Sequence, residues 1–335
     1  VPNINHFSTQ GSSGGPVGLI NVDLIENVDF ISAAFPSNRG NTLSSVFEFS
    51  QKRPNKEKFN TSFTLGSSDL ALLVDAPISK NSGIIFSARK SYLQFLFKAL
   101  QLPFLPEYND IQFKYLNKLS DKSELVIIGL GAIDDFSLNQ GANDGVDDLE
   151  TIERNQYILD YIPVQKQWNY TIGAHYKYFS EKGFHSVVLS RNHLNNNAVK
   201  YSNNIELEEN LVLDYLSEEI ENKFRYEYTF GINNSELNTG FGLEQSNYTN
   251  DTYKPIPLFD GTVLPYNYNS KLNFFKYSFF SQLTSQFLNE RLVTSFGLRT
   301  DFNSFSRINL NPLSQFSPRL SIGYYLNSNL KYSIN

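Results

Sequence analysis

The sequence predicts an all-β fold, a transmembrane antiparallel β-barrel. Three observations lead there: sustained period-two alternation, a high aromatic content, and connections that alternate between short and long. The 335 residues include 28 Phe and 20 Tyr but a single Trp. Hydrophobic residues make up 40% of the chain, yet mean hydropathy is -0.34, so the polar residues outweigh them. Such a balance is expected where one face of each strand meets lipid and the other lines a wet lumen. A soluble β-sandwich shares the alternation, so composition alone leaves both architectures open.

From about residue 57 the chain divides into alternating runs of strand length. "KFNTSFTLG" sets Phe59, Phe63 and Leu65 against Asn60, Ser62 and Thr64. "QWNYTIGAHYKYF" sets Trp168, Tyr170, Ile172, Tyr176 and Tyr178 against Asn169, Thr171, His175 and Lys177. "NKFRYEYTFGI" opposes Phe224, Tyr226, Tyr228 and Phe230 to Arg225, Glu227 and Thr229. "ELNTGFGLE", "RLVTSFGLRTDF" and "PRLSIGYYL" continue the pattern and bring Arg299 and Arg319 onto polar faces. In a sandwich these charges would face bulk water; in a barrel they line the lumen.

Connection lengths separate the two readings. Short turns, "SKNSG", "LSDKS", "SEKG", "NNS", "NER" and "NSN", alternate with longer stretches. Those run from Tyr92 to about Asn109, Asp134 to Pro163, His193 to about Glu221, Tyr248 to Ser270, and through "NSFSRINLNPLS". All short turns then fall on one side, as in outer-membrane barrels, whereas a Greek-key sandwich has no reason for such order. The runs amount to about thirteen strands, the last within "NLKYSIN". An odd number leaves an edge of unpaired backbone groups, which lipid does not tolerate, so the expectation is part of a larger barrel.

Other classes are excluded. The net charge of -6 and the lack of a basic stripe give no reason to expect nucleic acid as partner. No stretch of about 18 uninterrupted apolar residues is present, so no membrane helix is expected. Without cysteine there is neither a disulfide framework nor a thiolate metal site. Val1 in first place suggests a mature or truncated product, so the absence of a signal peptide says nothing about secretion.

Candidate chemistry is sparse, and neither a cofactor nor catalysis is expected. His6, His175, His185 and His193 are scattered without ligand-like spacing and read as surface or lumen histidines. In "FHSVVLSRNH", His185 and Ser186 point to opposite faces of a strand and cannot act as base and nucleophile. The acidic stretch 143–153, with Asp144, Asp147, Asp148, Glu150 and Glu153, lacks the spacing of a calcium loop and reads as solvated; no metal is assigned. "SYLQFLFKALQLPFLPEY" departs from the strands: Leu93, Leu96, Phe97 and Leu100 recur at helical spacing, predicting a short amphipathic helix in a loop.

The N-terminal stretch is richer in Gly, Ser and Pro. It holds two β-like pieces, "GLINVDLI" and "VDFISAAF", then a glycine-centred turn "NRGN", a strand "LSSVFEFSQ" and a cationic stop "KR". Together these suggest a small separate unit.

A small unit that ends in such a turn and strand, followed by long alternating strands, resembles the TonB-dependent outer-membrane receptors, in particular those of Bacteroidetes. "NVDLIENVDFISAAFPSNRGNTLSSVFEFSQKR" is similar to the end of their plug domain, and "DAPISKNSGIIFSARKSYLQFLF" to their first barrel hairpin and loop. The resemblance implies the C-terminal part of a plug at 1–53, a linker at 54–57, and the N-terminal portion of a barrel at 58–335, about 13 strands of a family total of 22. It implies a receptor that binds a ligand at the cell surface and imports it across the outer membrane with energy from the TonB complex. Outer-membrane lipid and a surface lipoprotein would be further partners. A receptor-shaped scaffold without transport is the alternative, and a lipase a distant third. Phe35, Asn38 and Arg39 are then candidates for ligand or loop contact. Arg89, Lys177, Arg225, Glu227, Arg299 and Arg319 would face the lumen and hold the plug. The family's upstream coupling motif, the first half of its plug and its later strands have no counterpart in this sequence, and no position can be assigned a ligand by motif.

Overall fold

In this computed structural model, residues 4–8, 15, 17–32, 36–42, 45–260, 262–327 and 330–334 are described. The N-terminal unit contains a 3-10 turn (Val22–Leu24) and an antiparallel ribbon of β1 (Ile25–Ser32) and β2 (Ser45–Gln51). The two expected β-like pieces are therefore one strand preceded by a turn. The Asn21 side chain accepts a hydrogen bond from the Asp23 amide at 2.9 Å, which caps the turn and delays the strand to Ile25.

Thirteen strands then form one antiparallel sheet in strict sequence order. They are β3 (Asn60–Leu65), β4 (Asp69–Ser79), β5 (Ser82–Ser91), β6 (Phe104–Ser120), β7 (Ser123–Leu138), β8 (Val164–Phe179) and β9 (Gly183–Tyr201). β10 (Leu211–Ile232), β11 (Ser235–Pro257), β12 (Val263–Phe287), β13 (Leu292–Asn303), β14 (Phe316–Asn327) and β15 (Leu330–Ile334) follow. From β4 onward, turns of two to four residues join the strands at one end of the sheet and longer connections at the other, where β3 and β4 are also joined by the three residues 66–68.

Two of the long connections are mostly strand. β10, β11 and β12 have 22, 23 and 25 residues, and β11 and β12 pair without interruption from Ser235↔Ser285 to Pro257↔Val263. At about 3.4 Å per residue and a tilt of about 40°, a strand of this length rises about 60 Å, against an apolar band of about 25 Å. The hairpin therefore projects beyond the band as ladder, which satisfies its own backbone groups.

Helices occupy two other connections. α1 (Leu93–Ala99) forms where the spacing predicts it, and the Phe97 ring packs on Phe104 at 5.5 Å. The acidic stretch is not a solvated loop throughout: α2 (Leu149–Tyr161) starts within it. Asp148 is its N-cap, accepting from the Thr151 amide at 3.1 Å, and the hydrogen bond from the Thr151 hydroxyl at 2.5 Å, with that amide, holds the carboxyl below its usual range. Among the described residues no group of three or more metal-ligating side chains occurs.

The alternation sorts side chains as the sequence reading requires. Outward residues align in rungs: Tyr226, Phe241 and Phe279 stand side by side on β10 to β12, with ring centroids 5.8 and 6.3 Å apart. Phe230, Leu237, Leu283, Phe296 and Leu320 form another rung. Phe279 is 52% and Phe296 50% exposed, as the expectation of a lipid-facing outer surface requires. A nitroxide or bimane label on Phe279→Cys should be quenched by brominated lipid, and one on its neighbour Ser278→Cys by an aqueous quencher. The reverse pattern would contradict the register.

Candidate functional site

The N-terminal unit lies against the inner face of the sheet and is held at two places, each built on adjacent inward rungs. The first is the turn at Pro36–Arg39, closed by the Arg39 amide donating to the Pro36 carbonyl at 2.9 Å. One rung opposite it aligns Glu227, Gly240, Phe280 and Arg299; the next aligns Thr229, Asn238, Gln282, Gly297 and Arg319. Arg299 donates to the Ser37 carbonyl at 3.1 Å, and Arg319 donates to the carbonyls of Pro36 at 2.6 Å and Arg39 at 2.9 Å. The Asn38 amide donates to Glu227 at 3.0 Å, and the Ser37 N–H donates to the Gln282 side-chain oxygen at 2.6 Å. Four strands thus grip one turn, largely through its backbone.

Glycine serves this grip by vacancy. Gly40 is not in the left-handed region; Asn41 takes that conformation, at φ 55°. A Cβ at Gly40 would overlap the Arg299 guanidinium, and one at Gly297 would overlap the Ser37 hydroxyl. Both glycines allow close approach rather than a special backbone angle.

The second anchor holds residues 6–8 and 17–21 against β5 to β8. Tyr108, Asp134 and Gln167 share one rung, Arg89, Asp110 and Ala132 the next, and Ser87, Gln112 and Leu130 the third. Arg89 bonds Asp110 at 2.9 Å and donates to the carbonyls of Gly18 at 3.0 Å and Leu19 at 2.8 Å. Gln112 donates to the Leu19 carbonyl at 2.6 Å, and Asn21 to Ser87 at 2.7 Å. Leu19 is fully buried against Leu130 and Ala132. His6, read from sequence as an ordinary surface or lumen histidine, is fully buried between Asp134 at 2.6 Å and Asp110 at 3.3 Å. No spacing signals that pairing, although Asp110 and Asp134 on inward positions of strands are charges that demand partners.

The remaining expected residues fall into place individually. Arg225 pairs with Glu227 at 2.7 Å, and Arg39 with Glu48 of β2 at 2.5 Å. The hydrogen bond from Arg39 keeps the Glu48 carboxyl below its usual range against the opposing effect of burial. Arg39 therefore meets the sheet through its backbone carbonyl, while its side chain stays within the N-terminal unit. Phe35 lies outside the described residues. Lys177 departs from the expectation: its partners among the described residues are rings of its own hairpin, with the ammonium 4.1 Å from the Phe184 centroid and 5.5 Å from that of Phe179. The aromatic pair at the hairpin end offers the ammonium a cation–π site. His185 and Ser186 do diverge, but His175 reaches Ser186 from the next strand at 2.6 Å, a contact the single-strand view misses.

A cavity of about 460 Å³ opens beside the turn, with Asn38, Arg39 and Gly40 on one wall and Lys223, Arg225 and Lys276 on the other. The Ser37 hydroxyl, the Asn38 side-chain oxygen and one Arg39 terminal nitrogen are buried without a partner. Lys223 and Lys276 flank Glu244 at 3.2 and 2.5 Å, and the cavity lining has five cationic side chains, those of Arg39, Lys223, Arg225, Lys276 and Arg299, against the carboxylates of Glu244 and Asp301. Replacing Arg299 with Ala should loosen the turn by about 3 kcal/mol, since it also strands Asp301, whereas Arg225→Ala should cost about 1 kcal/mol or less. Local protection of residues 36–42 from hydrogen exchange measures both; equal effects would contradict the geometry.

The sequence model for "TonB dependent receptor-like, beta-barrel" matches residues 92–334. No curated protein matches the chain. Among solved structures, a variant of the ferric enterobactin receptor PfeA from Pseudomonas aeruginosa is similar with a TM-score of 0.65 at 13% identity, over 94% of this chain and 48% of that one. The pyoverdine outer-membrane receptor FpvA from the same organism follows with a TM-score of 0.62 at 14% identity, covering 91% and 49%. The copper transporter OprC has a TM-score of 0.63 at 10% identity, covering 94% and 50%. At such identities the likeness is one of fold, and this chain spans about half the length of each. With the family model matching most of its length, the chain belongs to the TonB-dependent receptor β-barrel family.

Proposed function

We propose that this chain is the plug-bearing part of an outer-membrane receptor that binds a ligand at the cell surface and imports it with energy from the TonB complex. Residues 1–53 are the C-terminal part of the plug, 54–57 the linker and 58–335 the first part of the barrel. The observation that carries the reading is the grip on Pro36–Arg39 by Glu227, Gln282, Arg299 and Arg319. A plug that must be pulled aside and reseated needs a hold made of many separable polar contacts rather than an apolar core. Each is worth about 1–3 kcal/mol.

Phe35, Asn38 and Arg39 are the proposed residues of ligand or loop contact, and of these Asn38 and Arg39 line the cavity. A ligand there moves the plug only if it binds one plug state more tightly than another. Asn38 and Arg39 meet that condition, because they contribute both to the cavity wall and to the seat of the turn. Arg89, Arg225, Glu227, Arg299 and Arg319 serve as the holding charges. The outer aromatic rungs face outer-membrane lipid. By resemblance to the Bacteroidetes receptors, the projecting hairpins are where a surface lipoprotein would dock.

In planar bilayers the complete protein should be nearly closed, and Arg299→Ala/Arg319→Ala should raise its open probability at least about tenfold, a factor that corresponds to about 1.4 kcal/mol. In cells, uptake of the transported compound should fall to background when the upstream coupling segment is deleted. Unchanged uptake would favour a scaffold without active transport.

A further inference from the structure

We propose that His6 is a proton-operated latch that fastens the strap at residues 4–8 to the inner wall of the sheet. A neutral imidazole offers one N–H and one lone pair. Both ring nitrogens of His6 face carboxylate oxygens, Nδ1 toward Asp134 at 2.6 Å and Nε2 toward Asp110 at 3.3 Å. Only the imidazolium has a donor for each; in the neutral ring one lone pair would oppose a buried carboxylate.

The surrounding charges require the same state. From β6 the ring meets Asp110 and the Tyr108 ring, 4.4 Å away, and from β7 it meets Asp134. From β5 Arg89 bonds Asp110, and from β4 Asp69 is occupied by the Tyr108 hydroxyl at 2.5 Å. The neighbour from β8 is the neutral Gln167, which donates to the Ser8 carbonyl. Arg89 alone leaves the Asp110 and Asp134 pair one positive charge short, and the His6 proton supplies it.

Opening the latch frees more than one side chain. The Phe7 amide donates to Asp134 at 2.8 Å. The His6 amide donates to the Val17 carbonyl at 2.9 Å and the Leu19 amide to the Ile4 carbonyl at 2.8 Å. Residues 4–8 and 17–19 are therefore one piece, and loss of the proton weakens its attachment as a whole. The Pro36–Arg39 anchor contains no histidine and is unaffected, so the two holds on the N-terminal unit separate by pH.

The sign follows from the environment. Burial disfavours the charged ring, but the hydrogen bonds to Asp110 and Asp134 outweigh it, and the His6 pKa stands above its ordinary 6.5. The stabilisation is thus complete below about pH 6.5 and is lost as pH rises through the higher folded-state value. The strap is fastened in acidic medium and loosened in alkaline medium.

The test is hydrogen exchange of residues 4–19 in the complete protein in lipid nanodiscs, as protection factors corrected for intrinsic pH dependence, from pH 5.5 to 9. Wild type should lose protection on the alkaline side, about tenfold for each unit by which the folded pKa exceeds the unfolded one. His6→Gln should give a flat, low profile. Asp110→Asn should retain a titration with its midpoint at lower pH, while residues 36–42 stay flat in every variant. A flat wild-type profile, or a midpoint that Asp110→Asn leaves in place, would overturn the proposal, including in the event that His6→Gln does not fold.

Discussion

In a barrel whose outer face meets lipid, as proposed for this chain, a charge on the inner face of a strand has to be neutralised from inside, because the strand's own backbone groups are already paired in the ladder. The organisation of this chain depends on that constraint. Arg89, Asp110, Asp134, Glu227 and Arg299 stand on inward positions, and each meets either a neighbour on its rung or the N-terminal unit. The sheet and the N-terminal unit are therefore incomplete without one another: the barrel strands supply side chains, and the inserted segment supplies mainly backbone carbonyls.

The two anchors have different chemistry. At Pro36–Arg39, arginines whose charge is fixed at any accessible pH bind carbonyls, with Gly40 and Gly297 clearing space for them. At residues 6–8 and 17–21 a leucine fills an apolar spot, and a titratable histidine lies between two aspartates. A unit held in this way can be loosened at one end while the other remains seated, which suits the proposed role as a plug.

Much of this was legible in the sequence. Period two separates the residues of "NKFRYEYTFGI" that face in from those that face out, and alternation together with the resemblance names Asn38, Glu227, Arg299 and Arg319 as candidates. Register was not legible. Nothing in the local pattern shows that Glu227 and Arg299, 72 residues apart, share a rung, or that His175 reaches Ser186 across a hairpin, because a rung is a sum over turn lengths and bulges. The histidine was missed for the same reason: its partners lie more than 100 residues away. Strand extension is not legible because residues 193–221 and 248–270 mix apolar and polar side chains on both faces. Outside the apolar band a ladder needs no greasy side, and the alternation signal fades although pairing continues. Gly40 was read as a turn glycine, but its value lies in the space it leaves for an arginine from another part of the chain.

The central claim is that the turn at Pro36–Arg39 is seated on the inward rungs of β12 to β14, and it can be tested by cross-linking. The Ser37 Cβ lies 3.2 Å from the position a Cβ would take at Gly297, near the spacing of about 3.8 Å found in disulfides. The chain has no cysteine to interfere. In the complete protein, Ser37→Cys/Gly297→Cys should form a disulfide on mild oxidation in the membrane and, on the proposed function, should block uptake until it is reduced. A pair that stays reduced under oxidation, or one that cross-links and leaves uptake unchanged, would contradict the account.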